Sequence, residues 1–151
     1  MRIWLFTAAI CLAAASATAQ TDVKGSKDHP LFARVPGYFI ESYDAQDSFP
    51  AEINTHPRTQ VVGRFWKILY SLSPDARNMN PIDIANRYAD MVTRRGGTLL
   101  VDEVDDSGGT TVAEMVVDGK HVWLQVSVSN EGGVYDLTIV EETPKTGSER
   151  R

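Results

Sequence analysis

One cysteine, Cys11, is all the chain contains, and it lies inside an apolar N-terminal run. A single thiol excludes an internal disulfide and a thiolate metal cluster. Histidine is nearly as scarce. His29, His56 and His121 are scattered, with no helical His-x3-His pair, and the first two precede prolines, which favours extended backbone. No Gly-x-Ser-x-Gly elbow is present. The pairs Gly96-Gly97, Gly108-Gly109 and Gly132-Gly133 each fall where a helix or strand must stop, and none continues into the Lys-Ser/Thr of a phosphate loop. Basic residues are outnumbered 15 to 20, for a net charge of −5. That balance speaks against nucleic acid or an anionic lipid surface as partner. No catalytic residue, metal ligand or cofactor is assigned.

What the chain does have is an export signature. Arg2 precedes an apolar run from Ile3 to about Ala17, and Ala17-Thr18-Ala19 is the small-x-small pattern a signal peptidase accepts. Residues 1–19 are therefore read as a cleaved signal peptide. A lipid anchor on Cys11 is not expected, because Ala8-Ala9-Ile10 precede it and apolar residues follow. Cleavage before Gln20 also removes Cys11 and Arg2, which leaves a thiol-free acidic product stabilised by packing alone. No second long apolar run follows, so no transmembrane segment is expected in the mature chain.

The remainder divides into a polar leader at 20–27, one domain at 28–142 and a disordered tail at 143–151. Tyr38–Tyr43 is a short β-prone run between Pro36-Gly37 and the turn-rich 44–50 stretch. Residues 51–60 read as loop or weak edge strand. Val61–Leu72 is a long strand, with Trp66, Ile68, Tyr70 and Leu72 on one face. A helix is signalled from Asn80, a capping residue, through Pro81 and Asp83 to Arg94-Arg95 and the stop at Gly96-Gly97. Its apolar stripe is Ile84, Tyr88 and Met91/Val92. Strands at 98–104, 111–117, 121–129 and 134–140 follow, the middle pair joined by Asp118-Gly119. In 121–129, Val122, Leu124, Val126 and Val128 face one way, and His121, Trp123, Gln125, Ser127 and Ser129 the other. The expected fold class is α+β: a two-layer arrangement of an antiparallel β-sheet with one main α-helix on one face, the other face mostly solvated.

Three groups of residues invite a functional reading. Asp102, Glu103, Asp105 and Asp106 form an acidic run without EF-hand spacing, as expected of a solvated hairpin loop. Trp123, with Tyr38, Trp66 and Tyr135, could form an aromatic contact surface, whereas His121 is expected to be exposed. The arm from Asp28 to Tyr38 would be anchored by Leu31, Phe32 and Val35. That would hold Asp28, His29 and Arg34 in fixed places, either to lock the arm or to recognise a partner. The candidate binding residues are Asp28, His29, Arg34, Tyr38 and Trp123.

Several segments together resemble a known domain. Gly25-Ser26-Lys27-Asp28-His29-Pro30-Leu31-Phe32 through Pro36-Gly37-Tyr38 is similar to the opening of the domain that precedes the OmpA-like peptidoglycan-binding domain in exported Gram-negative envelope proteins. Val62-Gly63-Arg64, Ile68 to Pro74, Ile84 to Tyr88, Val122 to Ser127 and Tyr135 to Glu141 resemble its later blocks. The likeness runs from about Gly25 to Glu142. It implies a periplasmic location, peripheral to the outer membrane, with envelope proteins or peptidoglycan-associated components as partners. No position in the sequence up to Arg151 is expected to inherit the diaminopimelate-binding role of the OmpA-like domain. The expected function is therefore that of a non-enzymatic accessory or binding module of the cell envelope. The alternatives are a small periplasmic hydrolase combining Asp28/His29 with a cation at Asp102–Asp106, and a structural stub of an OmpA-family protein.

Overall fold

A computed structural model describes residues 20–144. The expected signal peptide and residues 145–151 of the expected tail lie outside the described residues. Six strands form one antiparallel sheet in the order β1-β2-β6-β5-β4-β3: β1 (Tyr38–Ile53), β2 (Thr59–Leu72), β3 (Thr98–Asp105), β4 (Gly108–Val117), β5 (Lys120–Ser129) and β6 (Val134–Glu142). One helix, α1 (Pro81–Thr93), connects β2 to β3 and packs against β3, β4 and β5. A 3-10 turn over Asn130–Gly132 joins β5 to β6.

The helix follows its sequence signals closely. The Asn80 side chain accepts a hydrogen bond from the Ile82 amide at 2.9 Å, and Pro81 opens the first turn. Ile84, Tyr88 and Val92 are fully buried, and Met91 is half-buried. Arg94 is the C-cap rather than a member of the last turn, and Gly96 takes the left-handed conformation at φ +78°. Gly97 has a different reason to be glycine: an added Cβ would lie 2.5 Å from the Glu114 carbonyl.

The principal core lies between the sheet and α1 together with the N-terminal arm. Phe32 and Val35 of the arm join Ile68 and Tyr70 of β2, Val122, Leu124, Val126 and Val128 of β5 and Leu137 and Ile139 of β6. Residues 20–27, expected as a leader, are tied to β1. The Val23 amide donates to the Ile40 carbonyl at 2.9 Å, and the Asp22 carboxylate accepts from the Ile40 amide at 2.8 Å.

The 44–60 region departs from expectation. The turn-rich 44–50 stretch and residues 51–53 are strand, because β1 pairs with β2 from Tyr38↔Leu72 to Ile53↔Thr59. Turn-forming residues are accommodated by a register irregularity between Gln46 and Phe49, where extra residues enter one strand and bend it. β6 accompanies β2 only from Ser71 to Gly63, so the β1–β2 hairpin continues beyond the sheet. Its tip then curls over the second face. Ala51, Ile53 and Val61 pack there with Phe65, Val101, Val112 and Val140, which forms a separate apolar cluster. Two polar contacts fasten the tip: the Asn54 amide donates to Gln125 Oε1 at 2.9 Å, and His56 Nε2 lies 3.1 Å from Glu103 Oε1. The expected solvated face is thus partly covered, because the long hairpin brings its own apolar residues to it.

Candidate functional site

The arm residues come together, but most of them face one another. Arg34 forks between two carboxylates. Its Nε approaches Asp28 at 2.8 Å, and its Nη1 and Nη2 each reach an Asp22 oxygen at 2.7 Å. Asp28 also accepts from the Tyr70 hydroxyl at 2.8 Å. The hydrogen bonds from Arg34 hold the Asp22 carboxyl below its usual range. Behind Tyr70 the Tyr135 ring stacks on it at 4.7 Å between centroids, and Tyr135 Oη accepts from the Val35 amide and from Tyr88 Oη, both at 3.0 Å. Burial pushes the Tyr135 hydroxyl up to about 12, which keeps it neutral as part of the core. Tyr38 donates to the Gly132 carbonyl and accepts from the Met79 amide, so it links the arm to both flanking turns. Asp28, Arg34 and Tyr38 thereby fasten the arm, with the Asp28 and Arg34 side chains still partly exposed.

His29 sits apart from these contacts. The ring is 3% exposed, its edge meets the face of Trp66 at 4.5 Å between centroids, and Nδ1 accepts from the Leu31 amide at 3.2 Å. Burial lowers its pKa from 6.5 to about 4, with Arg64 adding to the effect and Glu141 opposing it. Nε2 has no hydrogen-bond partner among the described residues, and Glu141 Oε1 is 4.0 Å away.

Trp123 lies on the opposite face of the sheet from the arm, so the five candidate residues do not form one site. Its indole donates to Glu142 at 3.1 Å. His121, expected to be exposed, is held instead between Glu142 at Nδ1 (2.9 Å) and Glu114 at Nε2 (2.8 Å). Both bonds are donated at once only by a protonated ring, since a neutral imidazole carries one N–H. This Glu–His–Glu bridge ties together β4, β5 and β6.

On the same face, beneath the arched hairpin, is a groove of about 350 Å³. Phe49 and Phe65 form its apolar wall, their rings 4.7 Å apart. Gln125 and Thr138 lie at its floor, and Asp44 and Lys67 at its side. Because the Asn54 amide occupies Gln125 Oε1, the carboxamide nitrogen is left as a donor. Asp136 stands on the same face, and burial raises its pKa against the pull of Lys67. Sequence reading missed this groove. The alternation of β5 did place Gln125 beside Trp123, but no local pattern reveals that a distant hairpin folds over them.

The acidic run does not make a cation site. Asp105 caps its own turn by accepting from the Ser107 and Gly108 amides, Asp106 accepts from Asn80, and Asp102 from Thr111. Among the described residues no group of three or more His, Asp or Glu side chains is arranged to hold a metal ion. Asp28 bonds Tyr70 of β2, whereas the acidic run belongs to the edge strand β3, with β6, β5 and β4 between. No protein-family model matches the chain, and no curated protein matches it significantly. No helix of the described residues is long and apolar enough to cross a membrane.

Proposed function

We propose that this protein is an exported accessory component of the cell envelope, acting in the periplasm by binding a partner rather than by catalysis. The observation that carries the reading is the groove under the arched hairpin. It combines two aromatic rings, a free amide donor and a threonine hydroxyl with one acidic and one basic side chain. An aromatic wall that takes an apolar side chain, beside donors for a backbone carbonyl, suits an extended peptide segment of an envelope protein. Export rests on the Arg2 to Ala19 pattern, and the envelope setting on the resemblance to the domain that precedes OmpA-like domains. The hydrolase alternative is less favoured, since Asp28 is committed to Arg34 and Tyr70 and stands across the sheet from the acidic run.

In-cell photocrosslinking tests the reading. A photoreactive residue in place of Lys67, at the groove, should give a discrete adduct with an envelope protein. One in place of Val116, exposed on β4 and outside the groove, should give none. Identical adduct patterns from both positions, or none from Lys67, would overturn the assignment. Mass analysis of the exported product should find Gln20 at the N-terminus; a retained Cys11 would refute export by this signal.

A further inference from the structure

At the foot of the arm, a cavity of about 140 Å³ is bounded by His29, Pro30, Leu31, Lys120, Val122 and Glu141, and it is separate from the groove on the other face. Apolar residues, with Val117 among them, make up half of its lining; Asp118 and Lys120 also line it, and a donor and an acceptor converge on it. The Leu31 amide occupies His29 Nδ1, so in the neutral ring the proton resides on Nε2. This N–H is buried and unpaired within the described protein, and its nitrogen stands 4.0 Å from Glu141 Oε1. Leaving such a donor unmatched carries the desolvation penalty of a buried polar group. The same tautomer argues against a metal ion, which would need a lone pair on Nε2.

The 4.0 Å between Nε2 and Glu141 Oε1 restricts what can satisfy the donor. An atom lodged between the two groups can accept from Nε2–H and at the same time lie within reach of the carboxylate. A carbonyl or carboxylate oxygen there would meet Glu141 with no hydrogen between them. An ammonium could bond Glu141 but could not accept from the ring. A hydroxyl does both, accepting from His29 and donating to Glu141. Glu141 Oε2 is already 3.4 Å from Lys120 Nζ, so Oε1 is the oxygen left for this bridge. The surrounding Pro30, Leu31 and Val122 suit the C–H faces of a small ring or chain.

We propose that this cavity binds a neutral hydroxylated ligand, a saccharide unit or polyol, through a hydroxyl bridging His29 Nε2 and Glu141 Oε1. The test is to follow the His29 ring nitrogens by NMR while the protein is titrated with methyl α-glucopyranoside and, separately, with xylitol. A saturable shift at His29 with at least one probe is expected. Glu141→Leu, which removes the acceptor but keeps a sheet-compatible side chain, should weaken that binding about tenfold, the loss of one ordinary hydrogen bond. Leu100→Ala, exposed on β3 and away from the cavity, should retain it. Absence of a saturable shift with both probes would overturn the proposal and leave water as the occupant. So would an equal shift with sodium acetate, because an oxygen without a hydrogen would then suffice.

Discussion

Burial of His29 makes it the side chain through which acid acts most directly on the fold. Free imidazole titrates near 6.5, whereas this ring takes a proton only at about 4. Between those values the unfolded chain binds more protons than the folded one, so stability rises with pH. The contribution is fully present above about 6.5, declines as pH falls, and is gone by about 4. Its full size is on the order of 3 kcal/mol. His29→Gln removes the titration and should flatten this part of the curve. Urea midpoints compared between wild type and variant at pH 7 and pH 4.5 isolate the effect from the carboxylates both share; parallel losses would show that the ring reaches water. Arg34 acts through geometry as well as charge. Its fork holds Asp22 and Asp28 at once, a task the single ammonium of lysine cannot reproduce. Because all three groups are partly exposed, Arg34→Lys should cost only about 1 kcal/mol. Its clearer signature is faster hydrogen exchange at the Ile40 amide, which donates to Asp22, with α1 amides unchanged. Equal exchange in both proteins would mean that Asp22 keeps its place without the fork.

The elements differ in how far each could be read from local sequence. The α1 signals are local: a capping Asn80, Pro81, a 3–4 spacing of buried residues and a glycine stop, and each appears in the structure. The β3 to β6 meander was largely legible, because turns at Asp118-Gly119 and Asn130–Gly133 separate alternating runs. Gly108 and Gly109, however, expected to stop a strand, open β4 and pair with β3. The second half of β1 was not. Asp44, Asp47, Ser48 and Pro50 favour turns, and they lie in a strand because pairing with β2 and a bulge outweigh that preference. The candidate site was half legible. The arm's anchors Phe32 and Val35 are where the sequence puts them. The bridge around His121 and the groove depend on non-adjacent strands, which no window of sequence contains. Gly63 marks the point where β2 leaves β6. Its Cβ would lie 2.0 Å from the Glu141 carbonyl, a contact with backbone that no rotamer relieves. Gly63→Ala should therefore destabilise the protein by roughly 2–4 kcal/mol by forcing β2 from β6. Thermal melting measures this, and a shift within a degree or two of wild type would show that the strands separate there without cost.

Two apolar clusters on opposite faces of one sheet raise the question of whether the molecule unfolds as a unit. The principal core joins the arm, α1 and five strands, whereas the second depends on the hairpin tip. Beyond Gly63 the tip has no further strand pairing to β6. Ala51, Ile53 and Val61, with the Asn54–Gln125 and His56–Glu103 contacts, are what hold it down. Ile53 is fully buried there, so Ile53→Ala should cost about 2–4 kcal/mol through lost burial and a residual void. That loss falls on the tip, and local opening should precede global unfolding. The two tryptophans of the described residues report on the two clusters separately: Trp66 lies in the principal core and Trp123 packs against the second. In Ile53→Ala carrying Trp66→Phe or Trp123→Phe, the remaining Trp123 should change its fluorescence at lower urea than the remaining Trp66. Superimposed transitions would show that strands shared by both clusters couple them fully. The groove would then be as rigid as the core, and a peptide entering it would find a preformed site rather than a hairpin that opens.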